Sequence, residues 1–74
     1  MEPQRPLDTL NHARNKPVIV ELKNGRTYRG VLHAFDIHIN VVLEQAEELA
    51  QGEVTRKLGQ VFLRGDTIIL VSPQ

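Results

Sequence analysis

Asp36-Ile37-His38-Ile39-Asn40 lies between two apolar runs and places a carboxylate, an imidazole and an amide where a buried strand should avoid them. A second polar knot, Arg64-Gly65-Asp66, interrupts another apolar run near the C-terminus. These residue types suit the recognition of an unpaired nucleotide base. A base needs a flat surface against each face and donors or acceptors at its edge. His38 offers an imidazole plane. Arg64 offers a guanidinium plane that stacks on a base and attracts phosphate. Asn40 carries a donor and an acceptor in one amide. We read the two knots as meeting in space to bind a base, with the rest of the chain as their scaffold.

Each piece has a plainer reading. Asp36 and Asn40 are common turn formers, because short polar side chains bond their own backbone. Asp36 is expected to brace the turn in either case. Ile37 and Ile39 are expected to anchor the loop to the core, which turns His38 outward. Arg64 and Asp66 could form an exposed ion pair of little worth. Arg-Gly-Asp is also read by cell-adhesion receptors, but the N-terminal residues lack a secretion pattern. Asp36 and His38 could serve a hydrolase or a metal, yet no nucleophile–base pair and no spacing such as H-E-x-x-H accompanies them. We expect no catalysis, no cofactor and no metal.

The chain has 74 residues, nine basic and nine acidic side chains, three histidines and no cysteine. That length allows one domain, 1–74, with a core that is marginal alone. Without disulfides or thiolate metal sites, self-association is the expected stabiliser. Zero formal net charge argues against a binder held on nucleic acid by bulk charge. No apolar run approaches the roughly 20 residues of a membrane span. The expected location is cytoplasmic.

The elements follow from periodicity. Residues 1–5 are expected to be loose. A helix is expected over 6–16, with Pro6 at its first position, Asp8 at the positive dipole end and Pro17 as its stop. Leu7, Leu10 and Ala13 form its one apolar stripe. A five-stranded barrel then occupies 17–72. Val18, Val20 and Leu22 give the first strand one apolar face. Asn24-Gly25 signals a type I′ hairpin. Gly30 and Gly59 fall inside the second and fourth strands, where an internal glycine marks a bend. The third strand begins at Val41 and continues through the acidic run Glu44, Glu47 and Glu48, read as a solvated face, to an exposed turn at Gln51-Gly52. Thr67 to Val71 forms an apolar fifth strand. A strand edge so apolar is an aggregation hazard unless another subunit covers it. The fold class is therefore mainly β: a short N-terminal helix and a strongly bent antiparallel open barrel. His33, on a face with Arg29 and Val31, is read as surface or interface, and Tyr28 and Phe35 as core or interface.

The sequence resembles the Sm-like family of RNA-binding proteins from Arg5 to Pro73. One family motif runs from Val18 to Gly25, then Gly30, then Phe35 to Leu43. The other is Val61-Phe62-Leu63-Arg64-Gly65-Asp66-Thr67-Ile68. The short segment between motifs and the Arg5-Pro6-Leu7-Asp8 opening are similar to the archaeal branch. The resemblance implies an SH3-like Sm barrel. It also implies a homo-oligomeric ring, most often a heptamer, built by strand four of one subunit pairing with strand five of the next. It further implies binding of uridine-rich single-stranded RNA around the pore, in RNA processing, chaperoning or ribonucleoprotein assembly. The alternative is a structural ring that mainly scaffolds protein partners. At matching positions the resemblance stacks a uracil between His38 and Arg64 and has Asn40 read its edge. Asp36 then holds the Asn40 amide, Asp66 fixes Arg64 or its turn, and Gly65 permits close backbone approach. Arg5, Asn11 and Phe35 are candidates for a minor second RNA contact.

Overall fold

The computed structural model describes residues 5–74. The expectation of a loose segment over 1–5 therefore lies, apart from Arg5, outside the described residues. Helix α1 spans Pro6–Ala13 and is followed by strands β1 (Pro17–Leu22), β2 (Thr27–Phe35), β3 (Val41–Ala50), β4 (Glu53–Leu63) and β5 (Ile68–Pro73). The strands form one antiparallel sheet in the order β4-β3-β2-β1-β5.

Helix α1 opens as its sequence dictates. Pro6 occupies the first turn, where its missing N–H is no loss, and Asp8 Oδ2 accepts the Arg5 backbone N–H at 3.3 Å. Leu10 and Ala13 are buried, and Leu7 packs against them. The helix ends at Ala13, three residues before the expected boundary. Asn15 takes a left-handed φ of 66° and donates its N–H to the Leu32 carbonyl at 2.7 Å, while Lys16 accepts from Leu32 N–H at 3.0 Å. Lys16 precedes Pro17, which disfavours helical backbone there. The strand ladder thus takes residues that helix propensity would have kept.

Val18, Val20 and Leu22 are buried on alternate positions of β1, as their spacing requires. The β1–β2 turn differs from expectation. Gly25 takes φ 87° but Asn24 does not turn positive, and Gly25 N–H donates to the Leu22 carbonyl at 3.0 Å. This is a three-residue loop with glycine in the left-handed place, not a type I′ turn. Asn24 Oδ1 accepts the Arg26 N–H at 2.9 Å, and Lys23 N–H is drawn to the Thr67 carbonyl at 2.8 Å. The β3–β4 connection is the one with two successive positive φ values, 52° at Gln51 and 82° at Gly52.

Both internal glycines sit at irregularities of the ladder, for different reasons. A Cβ on buried Gly30 would lie 3.0 Å from the Glu44 carbonyl oxygen and 3.1 Å from Leu43 Cβ, at the register shift between Arg29 and Val31. Space requires that glycine. Gly59 has open room but a φ of 74°, opposite Ala46 and beside Gln45, itself at 53°. Backbone conformation requires that one. Gly30→Ala is expected to lower stability by about 1–3 kcal/mol through overpacking against β3. Denaturant unfolding of the two proteins at equal concentration measures it.

The core comprises Leu10, Ala13, Val18, Val20, Leu22, Tyr28, Leu32, Val41, Leu43, Ala46 and Leu63. The acidic run is not a simple solvated face. Arg29 Nη2 meets Glu47 Oε1 at 2.9 Å, and His33 Nδ1 approaches Glu44 at 3.4 Å. Glu48 accepts from Arg56 Nη2 at 3.1 Å and from Tyr28 Oη at 3.2 Å, with Arg26 at 3.6 Å. Arg56, aided by Tyr28 and opposed by burial, holds the Glu48 carboxyl below its ordinary 4.5. Its contribution to stability is therefore complete above that value and is lost as pH falls through the lowered one. Together these contacts tie β2, β3 and β4 across the sheet surface.

Candidate nucleic-acid interface

The two knots do meet. His38, Asn40, Arg64, Gly65 and Asp66 line one open cleft of about 440 Å³. Two loops build it: residues 36–40 between β2 and β3, and the 3-10 turn Gly65–Thr67 between β4 and β5.

Asp36 organises the first loop. Its Oδ1 accepts the backbone N–H of His38 at 2.9 Å and of Asn40 at 3.1 Å, and its Oδ2 accepts Asn40 Nδ2–H at 3.0 Å. The Asn40 amide, helped by the Asn40 and His38 backbone donors and His38 itself and opposed by burial, holds the Asp36 carboxyl below its ordinary 3.8. Hence the carboxylate form braces the loop at all pH values above 3.8. Protonation would put a hydrogen where Oδ1 or Oδ2 now accepts. The loop contribution is lost only as pH falls through the lowered value. The Asp36 contribution to ligand affinity is expected to be unchanged from neutral pH down to 3.8 and to be lost only below it. Titrations of one labelled oligonucleotide across that range check it.

Asn40 joins the loops. Its Oδ1 accepts the Gly65 N–H at 2.8 Å, so the amide is fixed at both ends. A flipped amide would set oxygen against the Asp36 carboxylate and nitrogen against the Gly65 N–H. The second Nδ2 hydrogen and the second Oδ1 lone pair remain for a ligand. Gly65 makes the approach possible. A Cβ there would collide with the His38 carbonyl oxygen and stand 2.8 Å from the Ile39 carbonyl carbon.

Arg64 Nη2 pairs with Asp66 Oδ2 at 3.0 Å, both side chains largely exposed. The exposed His38 and Arg64 thus present flat groups to the cleft whose edge Asn40 supplies.

The flanking isoleucines behave differently from expectation. Ile39 packs against the core, but Ile37 is 75 % exposed and anchors nothing. The cause is the backbone of Ile39, at φ 61°, which breaks strand alternation. A β-branched residue is rarely found there, so no local sequence signal marks it. Thr67 also departs from expectation. It belongs to the 3-10 turn, not to β5, and its Oγ1 donates to the Arg64 carbonyl at 2.6 Å. A threonine three residues after the turn's first carbonyl was the available signal.

Arg5, Asn11 and Phe35 do not line the cleft. Arg5 precedes α1, Asn11 is exposed on it, and the Phe35 ring lies 5.3 Å beneath the Arg14 guanidinium.

A single helix on a bent five-stranded antiparallel sheet, with two polar loops converging on one cleft, defines a small open β-barrel of the binding-module kind. The chain belongs to the LSM domain family, whose model matches residues 8–73. It is 58 % identical over 71 residues to an snRNP Sm-like protein of Archaeoglobus fulgidus, covering 96 % of this chain and 92 % of that one. A corresponding protein of Methanococcoides burtonii is 56 % identical over 69 residues, covering 93 % and 96 %. Among solved structures, the Sm protein of Pyrococcus abyssii in complex with a uridine heptamer superposes with a TM-score of 0.92 at 44 % identity, covering 96 % and 100 % of the two chains. A heptameric archaeal Sm protein superposes at 0.85 with 39 % identity, covering 90 % and 97 %.

Proposed function

We propose that this protein assembles into a homo-oligomeric ring, a heptamer by analogy with its relatives, and binds uridine-rich single-stranded RNA. One observation carries the reading: His38, Asn40 and Arg64 converge on a single cleft, with the Asn40 amide fixed at both ends. The relative solved with a uridine heptamer and the heptameric relative support it.

Assembly has a physical basis in the open edges. β4 and β5 are the two ends of the sheet order and do not pair with each other. Phe62 on β4 is 63 % exposed and Ile69 on β5 is 59 % exposed. An apolar groove of about 460 Å³ runs between α1 and β5. Pairing β4 of one copy with β5 of the next covers both edges in a head-to-tail contact that can close. Each cleft supplies about 1–3 kcal/mol of stacking. A ring repeats the cleft at fixed spacing, so a uridine run engages several at high effective concentration. The protein then acts without a catalytic step, as a cytoplasmic platform for RNA processing, chaperoning or ribonucleoprotein assembly. Arg5, Asn11 and Phe35 are proposed as a minor second contact for the same strand.

Titration with oligouridine and oligocytidine at several salt concentrations tests the proposal. We expect a clear preference for uridine and a shallower salt slope than a polybasic binder gives. A steep slope with equal affinity for both would overturn it. Absence of RNA binding by an intact ring would leave the protein-scaffold reading.

A further inference from the structure

Arg64 occupies an exposed corner. It follows β4, an edge strand that makes no ladder with β5. Its side chain is 72 % exposed and its ion-pair partner Asp66 is 62 % exposed. Such a pair holds a long side chain weakly. The direction of Arg64 must therefore be set largely by its backbone. That backbone is braced through its neighbours. Gly65 N–H reaches Asn40 at 2.8 Å. The Arg64 carbonyl accepts two hydrogen bonds from Thr67, from Oγ1 at 2.6 Å and from the backbone N–H at 3.0 Å. Thr67 is in turn tied to the β1–β2 hairpin, its carbonyl accepting Lys23 N–H at 2.8 Å.

We infer that Thr67 is a positioning residue for Arg64. Its hydroxyl fixes the Arg64 peptide to the β1–β2 hairpin, so that the guanidinium is presented across the cleft from His38. The inference rests on the base-binding reading of the cleft. The side chain suits the task. Threonine has few χ1 rotamers, so little freedom is lost in holding its hydroxyl on the carbonyl. Thr67 is exposed, so the hydroxyl is not needed to fill a core. In a ring, a small misplacement of Arg64 recurs in every subunit and its cost accumulates along a bound strand.

The test compares Thr67→Val and Thr67→Ser in the full chain, each with and without Arg64→Ala. Affinity for oligouridine is read by titration, and assembly by size-exclusion chromatography with light scattering. Valine keeps the branched shape and removes the donor, whereas serine keeps the donor. Thr67→Ala serves in place of valine if that variant does not assemble. Thr67→Val should weaken oligouridine binding about three- to tenfold in an intact ring. Thr67→Ser should stay within about twofold of wild type, since it retains the hydrogen bond. In the Arg64→Ala background the valine change should have no further effect, because the group it positions is gone. An undiminished affinity in Thr67→Val would overturn the inference. So would an equal loss in both backgrounds, since the hydroxyl would then support the barrel and not Arg64. If Arg64→Ala alone binds oligouridine as wild type does, the base-binding reading of the cleft fails first, and this inference with it.

Discussion

Asn40→Ala should lower the affinity of the assembled protein for oligouridine by about a hundredfold or more. Asn40 has two roles in the proposed site. Its amide bridges the loops, accepting from Gly65 N–H at 2.8 Å and donating to Asp36 at 3.0 Å. It also leaves one donor and one acceptor facing the cleft that a uracil edge can use. Alanine removes both functions. Loss of the base contacts costs about 1 kcal/mol per hydrogen bond, roughly tenfold at a site making two of them imperfectly. A bound strand that touches two or more sites compounds that factor. The cost to folding is smaller, about 1–2 kcal/mol for the Gly65 N–H left without its acceptor and the Asp36 carboxylate left without its Nδ2 donor. Titration with oligouridine, alongside a thermal melt, separates the two. A ring that melts within a few degrees of wild type yet binds equally well would show that Asn40 bridges the loops without reading a base.

The same residue shows how far sequence reasoning reaches. That the knots carry flat groups and an amide follows from residue type, and their convergence could be argued from their shared oddity. The bond that joins them could not, because a backbone N–H donor such as that of Gly65 leaves no mark on a sequence. Periodicity served well where one force acts alone. Val18, Val20 and Leu22 alternate, and all three are buried. It failed where two forces compete. Residues 14–16 follow a helical pattern, but the Asn15 and Lys16 backbones complete the ladder with Leu32. Ile37 and Ile39 look equivalent in the sequence, and a left-handed backbone at Ile39 separates their fates. That conformation costs a β-branched residue of order 1–3 kcal/mol and persists only because the surroundings enforce it. The Asp36 hydrogen bonds, the core contact of the Ile39 side chain and the close approach of Gly65 are those surroundings.

Gly65→Ala therefore probes a different property from Asn40→Ala, and its effect should be larger on stability. The φ of Gly65 is not in the left-handed region, so alanine meets no conformational penalty there. The obstacle is space. An added methyl would strike the His38 carbonyl oxygen and crowd the Ile39 carbonyl oxygen at 2.9 Å. Both obstacles are backbone atoms of a loop held by three Asp36 hydrogen bonds, so neither can swing aside as a side-chain tip would. The loops must separate, which breaks the Gly65–Asn40 bond and moves Arg64 away from His38. We expect a loss of about 2–4 kcal/mol, one overpacking cost plus one hydrogen bond. Oligouridine binding should fall at least as far as in Asn40→Ala, because the cleft loses its geometry and the Asn40 amide loses one of its two anchors. Denaturant unfolding and titration on the same preparation give both numbers. Gly65→Ala that keeps wild-type stability and affinity would mean the loops approach less closely than a 2.9 Å contact implies, and the single cleft would no longer account for binding.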